Sequence, residues 1–544
     1  MSNLSLFDRL RLRWADLHGN RRLWRATRQV LSHSRPDPGQ QPVAFFNAST
    51  RLTGVSLNAA FAFLVASGLQ LANIPVVYFA CRSGMSRCVL GTDRDDVTKS
   101  PPCTGCIAQA QHLFGHAPVV WFEYLKDEAL DRRLEDLSLD RLVEFQARLP
   151  PESGIKESIP LGKLVLPSIR WALRRHQLQD DEATRLLFRE YLLSAWRVAT
   201  ETIGFLEMTT PRAFVVFNGI MFPEATARWV ARQRCVRVIT HEVGFQPYSG
   251  FFSEQAATAY PIEIPADFEL SAEQNGQLDA NLENRFQGKF SMAGIRFWPE
   301  MHGLDEAFER KADNFRQIVP VFTNVVYDTS QVHANTVFPH MFAWLDQVLE
   351  IIRAHPETLF VVRAHPDEMR PGKESRESVP GWVERNRIRE LPNVVFVDSN
   401  QYLSSYELIQ GSKFVMVYNS SIGLEAALLG RAVLCGGKAR FTAYPMVHFP
   451  QSQEEHRQLA EEFLDLAGEI GVPAEFQRNA RRFMYYQLFR ASLPFGEFLE
   501  AHKRPGYVRL RPFSWRQLTP KQSPTVRNLL EGILEGKPFL LGEE

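Results

Sequence analysis

The chain has 544 residues, too many for one ordinary hydrophobic core, so at least two domains are expected. Lysine plus arginine and aspartate plus glutamate both number 62, a balance that argues against a nucleic-acid-binding protein. Hydrophobic residues make up 45% of the chain, yet no segment is as apolar as a membrane span or a signal peptide. We therefore expect a cytoplasmic protein.

Residues 1–41 are predicted to form a basic helical extension and a linker. Residues 1–35 contain eight arginines and two acidic residues, and Leu10, Trp14 and Leu17 recur at helical spacing. Such a helix can pack on the protein with its arginines in solvent, which we favour. It can also lie peripherally on the inner face of an anionic membrane.

Residues 42–250 are predicted to form a first Rossmann-like domain. Strands are expected at 42–47, 75–80, 213–217 and 236–240, and helices at 57–69 and 224–233. This order predicts a parallel sheet with crossover helices. Segment 81–115, rich in glycine, proline and cysteine, is interpreted as an insertion into this domain.

Four of the six cysteines lie in or beside that insertion. They are Cys81, Cys88, Cys103 and Cys106. The last two form a CxxC pair, which is a good half-site for a metal, and the four thiolates together can hold a structural zinc ion. An iron–sulfur cluster uses the same ligands and ranks second, and buried thiols without a metal are the alternative.

The second half of the chain repeats the α/β pattern. Residues 251–315 are interpreted as an interdomain passage, residues 316–450 as a second Rossmann-like domain, and residues 451–544 as a helical tail. Ligands of open α/β sheets bind beyond the carboxyl ends of the strands, so polar residues at those ends are the candidates for a site.

Three strand ends of the second domain carry such residues. The candidates are Asn324, Arg363, His365, Asn419, Ser420, Ser421 and Glu425. Arginine offers forked donors to a phosphate, histidine can donate to it, and serines at a helix start place backbone N–H groups around it. Glu425 misses the spacing of a capping box, which favours a role in holding a ribose or sugar.

A repeated tetrapeptide provides an internal comparison. Arg353-Ala354-His355-Pro356 is identical to Arg363-Ala364-His365-Pro366. The first copy falls at a predicted helix end, where these residues are ordinary. The second copy follows a strand, which favours His365 as a ligand-contacting residue.

In the first domain, His241 and Glu242 end a strand and Asn218 ends its neighbour. A carboxylate or imidazole there could face the second domain and act as general base for an acceptor hydroxyl. The alternative is a solvated loop glutamate beside a structural histidine.

These stretches resemble a known family. Arg363-Ala364-His365-Pro366, Tyr418 to Ala426 and Asn324 to Asp328 resemble the donor half of GT-B glycosyltransferases. More narrowly, they resemble bacterial capsule or surface polysaccharide biosynthesis proteins, including Kdo transferases. Phe217-Asn218-Gly219 and Thr240 to Gly244 are similar to acceptor-side elements of these proteins.

The resemblance implies an α/β, GT-B-like fold, with two Rossmann-like domains facing across a cleft and a helical C-terminal tail. It implies that His365 and the serine pair hold the nucleotide phosphate, that Glu425 contacts the donor, and that no catalytic metal is required. Asn324, Arg363, Asn419 and Gly423 complete the implied donor site.

The implied function is transfer of a sugar from a CMP- or UDP-linked donor to a surface glycan, free or lipid-linked. Glu242 is the first candidate for the base, with His241 beside it. Polyol-phosphate transfer from a CDP-alcohol, nucleotide-sugar epimerisation and a non-catalytic role in glycan assembly are the alternatives.

Overall fold

The computed structural model describes residues 6–48, 54–287, 302–370, 374–401, 403–504 and 506–542. Residues 288–301 of the predicted interdomain passage lie outside the described residues, as do residues 1–5 of the basic extension.

The strands and helices have the following bounds. The strands are β1 Val43–Asn47, β2 Val76–Cys81, β3 Val119–Phe122, β4 Ala213–Phe217, β5 Val238–Val243, β6 Ser249–Ser253, β7 Gln317–Phe322, β8 Thr358–Arg363, β9 Val394–Val397, β10 Val415–Val417, β11 Val433–Cys435, β12 Leu493–Pro494, β13 Leu499–Ala501 and β14 Val508–Leu510. The helices are α1 Leu6–His33, α2 Leu57–Leu71, α3 Cys103–Phe114, α4 Glu128–Leu134, α5 Leu139–Val143, α6 Leu161–Leu173, α7 Glu182–Thr209, α8 Glu224–Gln233, α9 Ala272–Phe286, α10 Glu306–Ala312, α11 Gln331–Ala334, α12 Met341–Ala354, α13 Val379–Arg385, α14 Ser405–Gln410, α15 Ile422–Leu428, α16 Gln453–Asp465, α17 Ala474–Tyr485 and α18 Pro524–Glu535.

The first sheet has the strand order β12-β6-β5-β4-β1-β2-β3. Strands β1 to β5 are parallel, whereas β6 is antiparallel to β5 and β12 is antiparallel to β6. Helix α2 leaves the end of β1 with Ser56 as its N-cap, whose hydroxyl accepts a hydrogen bond from the Ala59 N–H at 3.2 Å. The carboxyl ends of the five parallel strands therefore point to one edge.

Segment 81–115 is not an insertion into the first domain but the connection between two neighbouring strands of this sheet. Its helix α3 connects β2 to β3, which pairs in parallel with β2. Cys103 and Cys106 lie in the first turn of α3, where the sequence suggested a metal knuckle. The segment is thus a crossover connection with a long loop before its helix.

The second sheet has the order β11-β10-β7-β8-β9, and all its pairs are parallel. All six residues of β8 are buried, because helices cover both faces of the sheet. Strands β10, β7 and β8 are neighbours, so the residues after their carboxyl ends share one edge.

The two units face each other across a cleft, so the GT-B-like fold is confirmed. Polar contacts bridge them beside the cleft: Glu377 accepts the backbone N–H groups of His176 and Gln177 at 2.8 and 2.9 Å. Arg94 forms an ion pair with Glu374 at 2.8 Å.

The C-terminal segment contains the expected helices and returns to the first unit. Strand β12 extends the first sheet, and α18 packs against α2 through Val526 and Leu530. In the parts of the chain that the structure describes, no helix combines the length and apolarity needed to cross a membrane.

Candidate functional site

The interdomain cleft contains a cavity of about 1310 Å³ that both units line. The first unit contributes residues that follow β4 and β5, and the second contributes residues that follow β7, β8 and β10. The strand ends that the sequence singled out therefore converge on one space, as the carboxyl-end rule for α/β sheets predicts.

The second unit supplies the wall that we call the donor wall. It is formed by Asn324, His365, Asn419, Ser420 and Ser421. The Asn419 Oδ1 accepts hydrogen bonds from Asn324 Nδ2 at 2.7 Å and from Gln331 Nε2 at 3.1 Å. This network fixes the turn after β10, and with it the position of the serine pair.

The serine pair precedes α15, which begins at Ile422. Ser421 is the N-cap residue, but its backbone is αR and its hydroxyl does not cap the helix. Within the described part of the chain, neither serine hydroxyl has a hydrogen-bond partner. Both hydroxyls can therefore serve a ligand in the cleft.

His365 begins the short 3₁₀ turn Pro366–Met369. Its Nδ1 accepts a hydrogen bond from the Asp367 N–H at 3.1 Å. The neutral imidazole must then carry its proton on Nε2, which makes that atom a donor. His365 lines the cleft, and its contact with a ligand stays a prediction.

The first copy of the tetrapeptide, which contains His355, lies at the end of a helix and not at the cleft. His355 is the C-cap residue of α12, and its Nδ1 lies 3.2 Å from the Glu357 carboxylate on the protein surface. It takes no part in the cleft lining, so the position after a strand, not the tetrapeptide itself, puts His365 at the site.

Behind the serine pair lies a smaller cavity of about 120 Å³. Arg285, Arg363 and Arg440 line it, with Glu425 as the sole carboxylate among its described lining residues. Burial lowers the pKa of Arg363 and of Arg440 to about 10 each, a range in which both stay charged at neutral pH. This excess of buried positive charge favours an anion nearby.

Glu425 is engaged within the protein. Its Oε1 forms an ion pair with Arg285 at 2.9 Å, and its Oε2 accepts the Tyr406 hydroxyl at 2.7 Å. The side chain is 4% exposed. Both oxygens are thus occupied, although the sequence suggested that they bind a ribose or a sugar, and a donor contact of Glu425 stays a prediction.

The first unit supplies the facing wall, which we call the acceptor wall. Its central group is the Glu242 carboxylate, which accepts hydrogen bonds from the Val243 N–H at 2.8 Å, Asn58 Nδ2 at 3.1 Å and Asn218 Nδ2 at 3.5 Å. Burial raises the pKa of Glu242, these three donors oppose the rise, and the negative charge of Asp328 adds to it. A carboxylate with a raised pKa is a stronger base.

His241 lies away from the cleft. It is 2% exposed, its ring packs between Phe217 and Phe252, and its Nδ1 lies 3.2 Å from Asn58 Oδ1. Burial lowers its pKa to about 3, so the ring is neutral at ordinary pH. The structure therefore gives His241 a supporting position through Asn58, and Glu242 the position facing the cavity.

Several lining residues were not anticipated. These are Asn58, Arg228, Tyr260, Arg285, Lys438 and Arg440. The sequence did contain a signal for Asn58. It lies in the first turn of the helix that Ser56 caps, and that helix follows a strand and a polar loop. Arg285 had none, since it reaches Glu425 from a helix 140 positions earlier in the chain.

None of the four clustered cysteines lines the cleft. Val89 and Leu90, which follow Cys88 in the same loop, do line it. Burial raises the pKa of Cys88 to about 12 and also raises that of Cys81, with further increases from the other thiols of the cluster. Among the residues described, no three or more His, Cys, Asp or Glu side chains are grouped to hold a metal ion. The zinc site remains a prediction, which metal analysis of the purified protein tests.

Comparison with known proteins places this site in a family context. Residues 296–458 match the family described as capsule polysaccharide biosynthesis protein. The resemblance predicted from the sequence is confirmed. The matched segment contains the donor wall, whereas Glu242 and the four clustered cysteines lie outside it. No protein of curated function matches the chain.

Solved structures with similarity to the chain include sugar-transferring and sugar-epimerising enzymes. The β-Kdo 2,4-transferase KpsC of Thermosulfurimonas dismutans is 12% identical, with 57% of this chain and 87% of that chain covered and a TM-score of 0.33. A UDP-GlcNAc 2-epimerase of Neisseria meningitidis, bound to UDP-GlcNAc, is 13% identical over 82% and 98%, with a TM-score of 0.25. Sucrose-phosphate synthase of Thermosynechococcus elongatus is 11% identical over 82% and 95%, with a TM-score of 0.28.

Proposed function

We propose that this protein is a glycosyltransferase of capsule or surface polysaccharide assembly. It moves a sugar from a CMP- or UDP-linked donor to a hydroxyl of a glycan acceptor, which can be lipid-linked. The observation that carries the proposal is that the donor wall and the Glu242 carboxylate line one cavity. The family match over residues 296–458 supports the capsule context.

The donor wall suits a nucleotide phosphate. The serine hydroxyls and the Nε2 donor of His365 can hydrogen-bond the phosphate oxygens, and Arg363 and Arg440 lie behind them. When the bond between the sugar and the phosphate breaks, negative charge grows on the phosphate. Fixed positive charges and donors stabilise that charge, so the chemistry we propose uses no catalytic metal.

The acceptor wall suits proton removal. Glu242 takes the proton of the acceptor hydroxyl while the hydroxyl oxygen forms its bond to the anomeric carbon of the donor. Asn58, Asn218 and the Val243 N–H hold the carboxylate in a single orientation. Asn58 in turn contacts His241, which serves as a positioning residue.

The proposal is tested by incubating the full-length protein with CMP-, UDP- and CDP-linked donors, with and without capsular glycan fragments. Nucleotide release and the mass of the products are measured. We expect release that depends on the acceptor, and a product heavier than the acceptor by one sugar. An isomerised donor sugar would instead identify an epimerase, and a polyol-phosphate product would identify the other alternative.

Binding provides a separate test. We expect a nucleotide to raise the melting temperature of the protein by mass action, and a Ser420→Ala, Ser421→Ala double variant to reduce the rise. Failure of every nucleotide to raise the melting temperature would favour a non-catalytic assembly protein.

A further inference from the structure

Helix α1 carries an exposed surface that the sugar-transfer chemistry does not use. We call it the α1 outer face and define it by Trp14, Leu17, Arg21, Trp24, Arg25, Arg28 and Leu31. Its four apolar side chains are 72%, 66%, 54% and 51% exposed, in chain order. They account for four of the nine large hydrophobic side chains exposed among the described residues, so this helix concentrates apolar surface in water.

The opposite side of α1 is fixed to the protein. Leu23 and Val30 are each 1% exposed, and Leu23 and Ala26 belong to the core of the first unit. Arg22 forms an ion pair with Glu500 at 2.7 Å, and Gln29 accepts the Trp515 N–H at 2.9 Å. Because these contacts hold the helix, its outer face cannot turn inward and stays presented to solvent.

The charges on the outer face have one sign. Arg21, Arg25 and Arg28 are exposed between the apolar side chains, and the Arg28 guanidinium lies 4.8 Å above the Trp24 ring. From residue 14 to the end of α1, no exposed described side chain is a carboxylate. Asp16 is turned toward Arg504 and His502 of the C-terminal segment.

We propose that the α1 outer face docks the protein on an anionic lipid surface. Tryptophan is favoured at the boundary between lipid headgroups and acyl chains, where its ring is buried and its N–H stays hydrated. Leucines at the same level add buried apolar area, and the arginines meet the lipid phosphates. A helix already folded and fixed on the protein loses little conformational entropy on docking.

A second copy of the chain is a poorer partner for this face. Residues 14, 17, 21, 24, 28 and 31 follow spacings of three and four, which is the seam of a two-helix pair. Two of these seam positions are Arg21 and Arg28. Parallel pairing of identical helices would bring arginines together in the seam, and the repulsion of like charges opposes that arrangement.

The test is co-sedimentation of the full-length protein with vesicles. One set contains phosphatidylcholine alone, and the other contains phosphatidylcholine and phosphatidylglycerol in equal amounts. We expect the protein to sediment with the anionic vesicles only, and less at high salt. Arg21→Gln, Arg25→Gln and Arg28→Gln together should weaken the affinity about a hundredfold. Trp14→Ser with Trp24→Ser should weaken it about tenfold or more.

The matched control is Leu125→Ser with Met208→Ser, which removes two exposed apolar side chains elsewhere on the protein. All the substituted groups are at the surface, so melting temperatures should be unchanged, and the control should bind as the wild type does. Wild-type protein that stays in solution with anionic vesicles, or tryptophan and arginine variants that bind normally, would overturn the proposal. A dimer in solution that the tryptophan variant abolishes would also overturn it, because the face would then pair with a second copy.

Discussion

The two walls of the cleft differ in how they handle charge. The donor wall is backed by three arginines and one buried glutamate, so it carries excess positive charge behind a turn of free hydroxyls. At the centre of the acceptor wall, the Glu242 carboxylate is held by two neutral amides and a backbone N–H. Under the proposed function, the anionic nucleotide lies against the second unit and proton removal takes place on the first. Substitution of the buried Glu425 behind the donor wall should therefore act on stability, whereas substitution of Glu242 should act on turnover.

The largest effect is expected behind the donor wall, at the buried Glu425. Glu425→Gln takes the carboxylate away from the buried Arg285 guanidinium, and breaking a buried pair in this way costs about 3–5 kcal/mol. Urea denaturation measures the loss in the free energy of unfolding. Glu469→Gln, at a glutamate that is 90% exposed, serves as control and should change it by less than about 0.5 kcal/mol. Normal stability together with weaker nucleotide binding would instead indicate that Glu425 binds the ribose, as the sequence suggested.

On the acceptor wall, Glu242→Gln should act on turnover alone. The amide is nearly the same size but cannot take a proton, so turnover should fall at least about a hundredfold. Nucleotide binding, followed by thermal shift, should match the wild type because the donor wall is untouched. If turnover survives, Glu242 is not the base and the roles assigned to the walls fail.

His365→Ala should lower turnover at least about tenfold. It also removes the cap of a short turn, at a cost of about 1 kcal/mol in stability. His365→Asn separates the loss of turnover from the loss of stability. Asparagine can accept the Asp367 N–H through its Oδ1, but it places no donor at the position of Nε2. If His365→Asn keeps full turnover, His365 acts only as a structural cap. His355→Ala, at the identical tetrapeptide, is the control and should keep full turnover.

The smallest expected effect is a loss of turnover at acid pH. Glu242 must be ionised to act as base, and burial raises its pKa above the ordinary 4.5. Turnover should therefore fall as pH drops through that raised pKa, reaching about half at the pKa itself. Steady-state rates across the acid range measure it. A wild-type profile without this acid limb would argue against a titrating base on the acceptor wall.

Much of this arrangement was readable from the sequence. Alternation of apolar runs and amphipathic helices predicted two parallel sheets, and the carboxyl-end rule led to His365, Asn419 and the serine pair. Asn419 and the serines are adjacent in the chain, so a local turn sufficed to bring them together. Short strands such as Ser249–Ser253 were missed because a five-residue run containing glycine resembles a loop.

Other features depended on contacts that sequence spacing does not reveal. Glu425 looked available because its partners Arg285 and Tyr406 come from other elements of the fold. His241 and Glu242 were grouped, yet the His241 ring packs between Phe217 and Phe252 whereas Glu242 lines the cleft. Those ring contacts come from other strands, so sequence spacing did not reveal them.

Strand β12 has a practical consequence for dissecting this protein. Because it pairs with β6 and its neighbours fill the core around α2, the first folding unit is assembled from both ends of the chain. A fragment ending after β6 would expose an unpaired sheet edge and the apolar surface that Phe495 and Phe498 cover, which invites aggregation. The acceptor half should therefore be expressed as a fusion of the N-terminal residues to the segment after α17, and not as a simple truncation.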